Sequence, residues 1–147
     1  MKPTVRYKKL SPLASVPTYG SPAAAGADLY ALSDADTVIA AGETKLIHTG
    51  IAVEIPEGYM GLIFARSGLA TKRGLAPANK VGVIDADYRG EIMVALYNQS
   101  GKEQTVAAGE RIAQLVITPF LAVDFEESEE LTDTERGTGG FGSTGAK

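Results

Sequence analysis

Hydrophobic and polar positions along this chain alternate over short distances, a pattern typical of β-strands. Between residues 45 and 55, the apolar residues at 47, 51, 53 and 55 keep the two-residue period of a strand with one buried face. Further apolar segments are separated by turns rich in glycine and proline. Those segments are 5–10, 27–31, 37–40, 59–65, 92–97, 105–107 and 111–119. Such short, closely spaced strands predict an all-β fold: a sandwich, a jelly roll or a small barrel.

The segment that follows the strand at 59–65 predicts the only helix, which is short. Ser67 is a candidate N-cap, Leu69 fits the interior, and Lys-Arg-Gly at 72–74 resembles a last turn and stop. A helix start presents free N–H groups, and Arg66 directly precedes this one, so the corner suits an anion. An ordinary helix at a sheet corner is the alternative that these residues leave open.

Composition and charge narrow the class of protein. At 147 residues one domain is expected, and the absence of cysteine excludes disulfides and thiolate metal sites. No apolar run of about 18 residues exists, so we expect a soluble, cytoplasmic protein with no membrane partner. Residues 124–147 carry seven acidic against two basic residues, or −5, and residues 1–123 carry eleven against twelve, or +1. A near-neutral body argues against binding to nucleic acid, which requires a basic face.

The stretch from Val81 to Glu91 holds the most informative polar residues. Apolar, β-branched residues lead into Asp85 and Asp87, and Arg-Gly-Glu leads into the next strand, so we predict a hairpin. A turn explains the aspartates and the glycine, because both tolerate unusual backbone angles. It does not explain why Tyr88 follows them. Taken alone, the stretch leaves both a plain turn and a binding site open.

The last 24 residues differ from the rest of the chain. Residues 124–135 are acidic and poor in apolar residues, which predicts a solvated tether. Residues 136–145 begin with Arg136, contain five glycines and include Phe141. They lack the Gly-Lys-Ser/Thr ending of a phosphate-binding P-loop. A disordered tail is one interpretation; the other is a lid in which the arginine binds phosphate and the aromatic ring stacks on a base.

Five segments in this order resemble the five motifs of the trimeric deoxyuridine triphosphate nucleotidohydrolases, or dUTPases. They are residues 25–31, 65–70, 82–90, 109–115 and 136–145. The resemblance implies a mainly antiparallel jelly-roll-like β-barrel or sandwich with one short helix, assembled as a homotrimer. It divides the chain into a β domain at 1–123, the tether at 124–135 and a lid at 136–147 that closes over a neighbouring subunit's site. A twelve-residue tether spans about 20 Å on average and about 40 Å when stretched, enough for that reach.

The resemblance also implies a reaction, in which dUTP is hydrolysed to dUMP and pyrophosphate. Asp85 would be the general base for water attack on the α-phosphorus, and Asp87 would shape the turn. Mg²⁺ would be held by phosphates and water, with Asp28 in its outer shell. Substrate-binding roles are implied for Arg66, Ser67, Gly68, Asn79, Val81, Gly82, Val83, Tyr88, Met93, Gln114, Arg136, Phe141, Gly142, Ser143 and Thr144. Such an enzyme keeps uracil out of DNA and supplies dUMP for thymidylate synthesis.

Three alternatives share the same fold. A dCTP deaminase would need a glutamate base near the pyrimidine, and the Asp-Ala-Asp-Tyr sequence at 85–88 with the complete glycine-rich tail favours a dUTPase. A non-catalytic nucleotide-binding regulator and a purely structural jelly roll would not need this set of residues. The single histidine, His48, has no role in any of these and is interpreted as a strand residue on a partly polar face.

Overall fold

The computed structural model describes residues 2–143 and contains eleven strands and one helix in that range. In chain order these are β1 (Arg6–Lys9), β2 (Thr18–Tyr19), β3 (Ala27–Tyr30), β4 (Thr37–Ile39), β5 (Thr44–Glu54), β6 (Tyr59–Phe64), α1 (Ser67–Arg73), β7 (Leu75–Pro77), β8 (Gly82–Ile84), β9 (Glu91–Asn98), β10 (Gln104–Val106) and β11 (Arg111–Pro119). The expectation of an all-β fold with one short helix is confirmed. The strands β2 and β7 were not predicted, because each is short and is flanked by or contains proline and glycine, which indicate a turn.

Two larger sheets enclose one hydrophobic core. The five-stranded sheet has the order β2-β3-β11-β6-β8, the four-stranded sheet has the order β1-β5-β9-β7, and β10 pairs with β4 in a third. Every strand pair is antiparallel. Leu29 and Ile112 from the first sheet and Leu96 from the second are at most 1% exposed within the same apolar cluster. Each such side chain contributes about 1.5–3 kcal/mol when fully buried, so this shared core joins the two sheets.

The segment between β8 and β9 is not a hairpin, and the prediction of one is wrong. β8 pairs with β6 in the five-stranded sheet, whereas β9 pairs with β5 and β7 in the four-stranded sheet. Residues 85–90 therefore cross from one sheet to the other. Turn-forming residues between two apolar segments look the same in either arrangement, since pairing depends on strands distant in sequence. As a consequence, Asp85 and Tyr88 lie where the two sheets meet rather than at an exposed hairpin tip.

The N-cap residue of the helix lies one position earlier than predicted. Arg66 is the N-cap residue, with extended backbone angles, and no side chain caps the helix. Ser67 is instead the first helical residue, and its carbonyl accepts a hydrogen bond from Thr71 Oγ1 at 2.7 Å. The predicted stop is correct: Gly74 has φ of 66° and its N–H bonds the carbonyl of Ala70.

The long strand β5 does not keep its predicted alternation to the end. Residues 49–53 are all buried, and the pairing with β9 shifts after His48. His48 is opposite Met93, but the next aligned pair is Ala52 with Glu91. Three residues of β5 thus stand opposite one of β9, which is a bulge. Its middle residue, Gly50, has φ of 68°.

The chain beyond β11 is exposed along most of its described length. The backbone N–H of Phe120 bonds the carbonyl of Gly58, and from there to residue 138 every residue is exposed. Phe125 and Leu131, the apolar residues of the acidic segment, are 97% and 87% exposed. No helix within residues 2–143 is long and apolar enough to cross a membrane. Whether the chain divides functionally at residues 123 and 135 stays a prediction.

Candidate functional site

A cavity of about 330 Å³ opens where the chain crosses between the two sheets. Its walls come from β8, the crossing segment and β9. Six residues predicted to bind substrate or catalyse line it: Asn79, Gly82, Val83, Asp85, Tyr88 and Met93. Val81, also predicted, is 39% exposed and does not line the cavity. The fold thus brings residues from a span of 15 positions to one concave surface.

The turn before β8 sets the position of Asn79. Lys80 has φ of 68°, a left-handed conformation that few side chains adopt, and Val81 N–H donates to the Asn79 carbonyl at 2.8 Å. A Cβ on Gly82 would be 3.4 Å from Asn79 Nδ2 and 3.3 Å from Ile63 Cβ, so glycine lets the amide lie close to β8. Within residues 2–143 the Asn79 amide has no hydrogen bond to protein. Both its donor and its acceptor are therefore available to a ligand.

Tyr88 is held against the wall of the cavity by its own hydroxyl. Its Oη donates to the main-chain carbonyl of Glu91 at 2.8 Å. The ring folds back over Gly90, where a Cβ would meet ring carbons at 2.5 and 2.8 Å. Tyr88 N–H also bonds the carbonyl of Asp85 at 3.1 Å, which closes the turn. The relative positions of Asp85 and Tyr88 are therefore fixed by the backbone of the crossing segment.

Glu91, another residue of the cavity wall, has a carboxyl group whose pKa is shifted by its surroundings. Burial acts to raise the pKa of its carboxyl, but hydrogen bonds from His48 and from the N–H of Gly50 outweigh burial. The pKa of Glu91 is consequently lowered from its ordinary value of 4.5. Its carboxylate is charged at neutral pH and held in the β5 bulge. Sequence reasoning missed this residue, because its partners are more than 40 positions away.

A second cavity, of about 500 Å³, lies beside α1 and has a different character. Four basic side chains line it against two acidic ones, a surplus of positive charge that suits a polyanion. Of the predicted site residues, Asp28, Arg66, Ser67, Gly68 and Gln114 lie here. The basic residues are Arg66, Lys72, Arg73 and Arg111, and the acidic ones are Asp28 and Glu110.

Asp28 joins two arginines at the centre of this second cavity. Its Oδ1 accepts from Arg66 Nε at 2.9 Å, and its Oδ2 accepts from Arg111 Nη1 at 3.2 Å. The Asp28 side chain is only 14% exposed, so both oxygens are committed to these partners. Arg111 was not among the predicted site residues, although it belongs to the 109–115 segment. Its position at the start of a strand gave no sign that it would face Asp28.

Gln114 sits in a space that only glycine at position 26 leaves open. Its Nε2 donates to the carbonyl of Ala65 at 2.9 Å, which ties β11 to the entry of α1. A Cβ on Gly26 would lie 3.0 Å from both Gln114 Cβ and Cδ, and closer still to Oε1. The amide is therefore packed against the backbone of the 25–31 segment. Two segments far apart in sequence meet here because one of them lacks a side chain.

We predict that Gly26→Ala destabilises the fold by displacing Gln114. Overpacking of this kind costs about 1–3 kcal/mol in the free energy of unfolding, measured by urea denaturation. Gly20→Ala is the matched control, because no heavy atom lies within 4 Å of a Cβ built there. Equal unfolding free energies for the two variants would show that the Gln114 side chain moves aside without loss of stability.

The two cavities share no lining residue, and the predicted tail residues up to position 143, where the described part of the chain ends, line neither of them. Arg136 Nε donates to the carbonyl of Gly139 at 2.8 Å, a contact within the tail. Phe141 is fully exposed, and Gly142 and Ser143 are exposed beside it. Thr144 lies outside the described residues. One chain therefore presents three separate groups of predicted site residues.

Comparisons with known proteins agree on one family. The dUTPase family model matches residues 13–145. The deoxyuridine 5'-triphosphate nucleotidohydrolase of Hydrogenobaculum sp. is 51% identical over 140 residues, covering 95% of this chain and 96% of the relative. The enzyme of the same name from Desulfitobacterium hafniense is 47% identical over 146 residues, covering 99% and 97%.

Solved structures give the same result for the fold. The dUTPase of Staphylococcus bacteriophage 80alpha with dUPNHPP superposes with a TM-score of 0.89 at 32% identity, over 97% of this chain and 98% of that one. A mutant dUTPase from phage phi11 of S. aureus, described with a structural Mg(II) ion, has a TM-score of 0.78 at 28% identity, over 86% and 97%. The sequence relatives and the structural neighbours are all dUTPases, and each covers most of this chain. The chain belongs to the dUTPase family.

Proposed function

We propose that this chain hydrolyses dUTP to dUMP and pyrophosphate with Asp85 as general base, in a homotrimer whose three sites are each shared between subunits. Hydrolysis of dUTP is the activity of the family and of its named relatives. The proposal for the residues rests on one observation. The cavity at the sheet crossing gathers an unpaired amide, a carboxylate and an aromatic ring around one concave surface.

Recognition of the pyrimidine is assigned to Asn79 and the strand beside it. Uracil presents both a donor and an acceptor on its edge, and a side-chain amide offers the complementary pair. Backbone groups of β8 at Gly82 and Val83 line the same cavity. Tyr88, held by its hydroxyl to Glu91, would pack on the deoxyribose and leave no space for a 2′-hydroxyl. A ribonucleotide is thereby rejected by contact rather than by charge.

The chemical step is assigned to Asp85. Its exposed carboxylate directly follows Ile84, which is buried in the core at the end of β8, so its backbone is anchored. Asp85 takes a proton from a water molecule as the water oxygen bonds to the α-phosphorus. The bond from that phosphorus to the bridging oxygen breaks, and pyrophosphate leaves. Positioned general bases contribute about 10²–10⁴-fold to such reactions.

The triphosphate is assigned to the second cavity and to the tail. Arg66 and Arg111, oriented by Asp28, supply positive charge, while Ser67 and Gln114 supply neutral hydrogen-bond donors. Arg136, Ser143 and Thr144 would bind the γ-phosphate, and Phe141 would cover the uracil.

Mg²⁺ fits this arrangement as an ion held mainly by phosphate and water. Both oxygens of Asp28 already accept hydrogen bonds from arginines, which favours an outer-shell position for this residue. Within residues 2–143 no three histidine, cysteine, aspartate or glutamate side chains cluster as metal ligands. When bound, the ion neutralises charge on the phosphates, a role for which magnesium often keeps its waters.

A trimer with shared sites accounts for the separation of the three groups of residues. The cavity at the sheet crossing has no lining residue in common with the second cavity, and the tail residues that the structure describes line neither. A neighbouring subunit can bring its cationic cavity against the sheet crossing, and a third can contribute the tail. The tether of residues 124–135, about 20 Å long on average, gives the tail the reach to serve a site on a neighbouring subunit. We also place the protein in the cytoplasm, where the thymidylate precursor dUMP is used.

The proposed function is tested by assaying pyrophosphate release from dUTP, dCTP, UTP and dTTP, with magnesium and with EDTA. We expect turnover of dUTP alone, and a loss of rate with EDTA, because without the ion the negative charge that develops on the leaving pyrophosphate is not neutralised. Ammonia release from dCTP would indicate the deaminase instead. Tight dUTP binding without any turnover would indicate a nucleotide-binding regulator, and would overturn the catalytic role of Asp85.

A further inference from the structure

The bulge in β5 is a built feature of the fold rather than a local irregularity. Gly50 at its centre has a left-handed backbone, and a Cβ there would lie 2.5 Å from Leu32 Cδ2 and 2.8 Å from Ala14 Cβ. Thr49, 1% exposed, donates from Oγ1 to the carbonyl of Ile92 at 2.6 Å. The bulge is thus packed on one side and hydrogen-bonded to β9 on the other.

The carboxylate of Glu91 fills this bulge. Its Oε1 accepts the N–H of Gly50 at 2.8 Å, and its Oε2 accepts from His48 Nδ1 at 2.9 Å. The Glu91 side chain is 20% exposed and lines the cavity, whereas the His48 side chain is 58% exposed and contacts Glu91 from outside the cavity lining. The lowered pKa of Glu91 is consistent with a carboxylate that these donors stabilise. The first residue of β9 is therefore fixed through its side chain.

The same residue fixes Tyr88 through its main chain. Glu91 offers its carbonyl to Tyr88 Oη at 2.8 Å, and both residues line the cavity at the sheet crossing. The ring has no side chain beneath it at Gly90 to hold it in place. Because the hydroxyl of Tyr88 is hydrogen-bonded to the carbonyl of Glu91, a shift of that carbonyl shifts the ring.

We propose that Glu91 and His48 are positioning residues for Tyr88 and that they set the discrimination between dUTP and UTP. The proposal rests on the proposed function, in which Tyr88 packs on the deoxyribose. With the carboxylate seated in the bulge, the carbonyl of Glu91 holds the Tyr88 ring where a 2′-hydroxyl would collide with it. When the hydrogen bonds of the Glu91 carboxylate to the bulge are lost, the ring moves and leaves space for a ribose. His48, which has no other role in the site, is one of the two donors to the carboxylate.

The first test compares kcat and KM for dUTP and UTP in Glu91→Ala, Glu91→Gln and His48→Ala. Glu91→Ala is expected to lower the ratio of kcat/KM for dUTP over UTP about 3–10-fold, as loss of one positioning hydrogen bond does. The change should come mainly from improved use of UTP, with kcat for dUTP retained. Glu91→Gln keeps an acceptor for Gly50 and an amide for His48, so it should restore the ratio. His48→Ala should give a smaller loss than Glu91→Ala.

The matched control is Glu43→Ala at the other end of β5. Glu43 also accepts a backbone N–H, that of Ala40 at 2.7 Å, and lies 3.7 Å from Lys45, but it does not line the cavity. It should leave the substrate ratio unchanged. If Glu91→Ala instead lowers kcat/KM for both nucleotides in parallel, together with the melting temperature, Glu91 is only structural and the proposal is wrong.

A double-mutant cycle separates positioning from folding. Tyr88→Phe keeps the ring and removes the hydroxyl, so the hydrogen bond to the carbonyl of Glu91 is already lost in that background. Adding Glu91→Ala to Tyr88→Phe should then change the dUTP/UTP ratio no further, because residues acting through one contact are not additive. A full additional change in the ratio would show that Glu91 acts by another route and would overturn the proposal.

A readout that needs no turnover keeps this test independent of the proposed function. The chain has six tyrosines, and ¹⁹F NMR of fluorotyrosine-labelled protein allows the Tyr88 signal to be assigned by its absence in Tyr88→Phe. We expect that signal to shift or broaden in Glu91→Ala and to stay in place in Glu91→Gln. An unchanged signal in Glu91→Ala contradicts the positioning role. If the wild-type chain hydrolyses no dUTP, the proposed function fails while the NMR result still decides what holds Tyr88.

Discussion

Replacing Asp85 by asparagine is expected to lower kcat for dUTP by about 10²–10⁴-fold, the usual contribution of a positioned general base. Asparagine has nearly the same shape but cannot accept the proton of the attacking water. Binding of a non-hydrolysable dUTP analogue should change little, because Asp85 shares the cavity with the groups assigned to the base and sugar without being one of them. Pyrophosphate release and calorimetric titration of the analogue measure the two quantities separately.

Asp87→Asn is the matched control for this result. Asp87 lies two residues further along the same crossing segment and is likewise exposed, but it does not line the cavity at the sheet crossing. Its variant should hydrolyse dUTP within a few-fold of the parent rate. An Asp85→Asn protein as active as the parent would remove Asp85 from the mechanism, and a large loss in Asp87→Asn alone would exchange the two roles.

Local patterns were sufficient to predict most of the strands. β11 spans residues 111–119 as predicted, and β3 and β6 differ from the predicted segments by one residue at the C-terminal end. Each is a short, largely apolar segment next to turn-forming residues, so the information lies within the strand and its immediate neighbours. The bulge in β5 could not be predicted in this way. It depends on Gly50 being enclosed by Ala14 and Leu32, residues that are distant along the chain.

The candidate site was predicted less completely than the strands, for a related reason. The motif residues were found because the resemblance supplied them, but their contacts depend on which strands become neighbours. Asp28 meets Arg111 because β3 pairs with β11, and Asp85 lies between sheets because β8 and β9 do not pair. Turn chemistry at residues 85–90 is the same for a hairpin and for a crossing. The partners of Glu91 and the split between the two cavities follow from the same long-range pairing.

Deleting residues 136–147 is expected to lower kcat/KM for dUTP by about 10²–10⁴-fold. The deletion removes a charged phosphate contact from Arg136, worth about 1.5–3 kcal/mol, and base stacking by Phe141, worth about 1–3 kcal/mol. Phe141→Ala should reproduce the stacking part of the loss. Phe125→Ala is its matched control, because Phe125 is just as exposed but lies in the acidic segment. Full activity in the deleted protein would exclude the lid.

Mixing two inactive variants tests whether the tail serves another subunit. The tail-deleted chain keeps Asp85, and the Asp85→Asn chain keeps its tail, so neither homotrimer has a complete site. If the tail acts in trans, a complete site needs the tail-deleted chain to supply Asp85 and the Asp85→Asn chain to supply the tail. In random hybrid trimers formed from equal amounts, each condition is met half of the time, so about one quarter of the sites should be complete. Activity should therefore return to about that fraction of the parent rate after unfolding and joint refolding. If the tail closed over its own subunit, no hybrid site would hold both Asp85 and a tail, and the mixture would stay inactive.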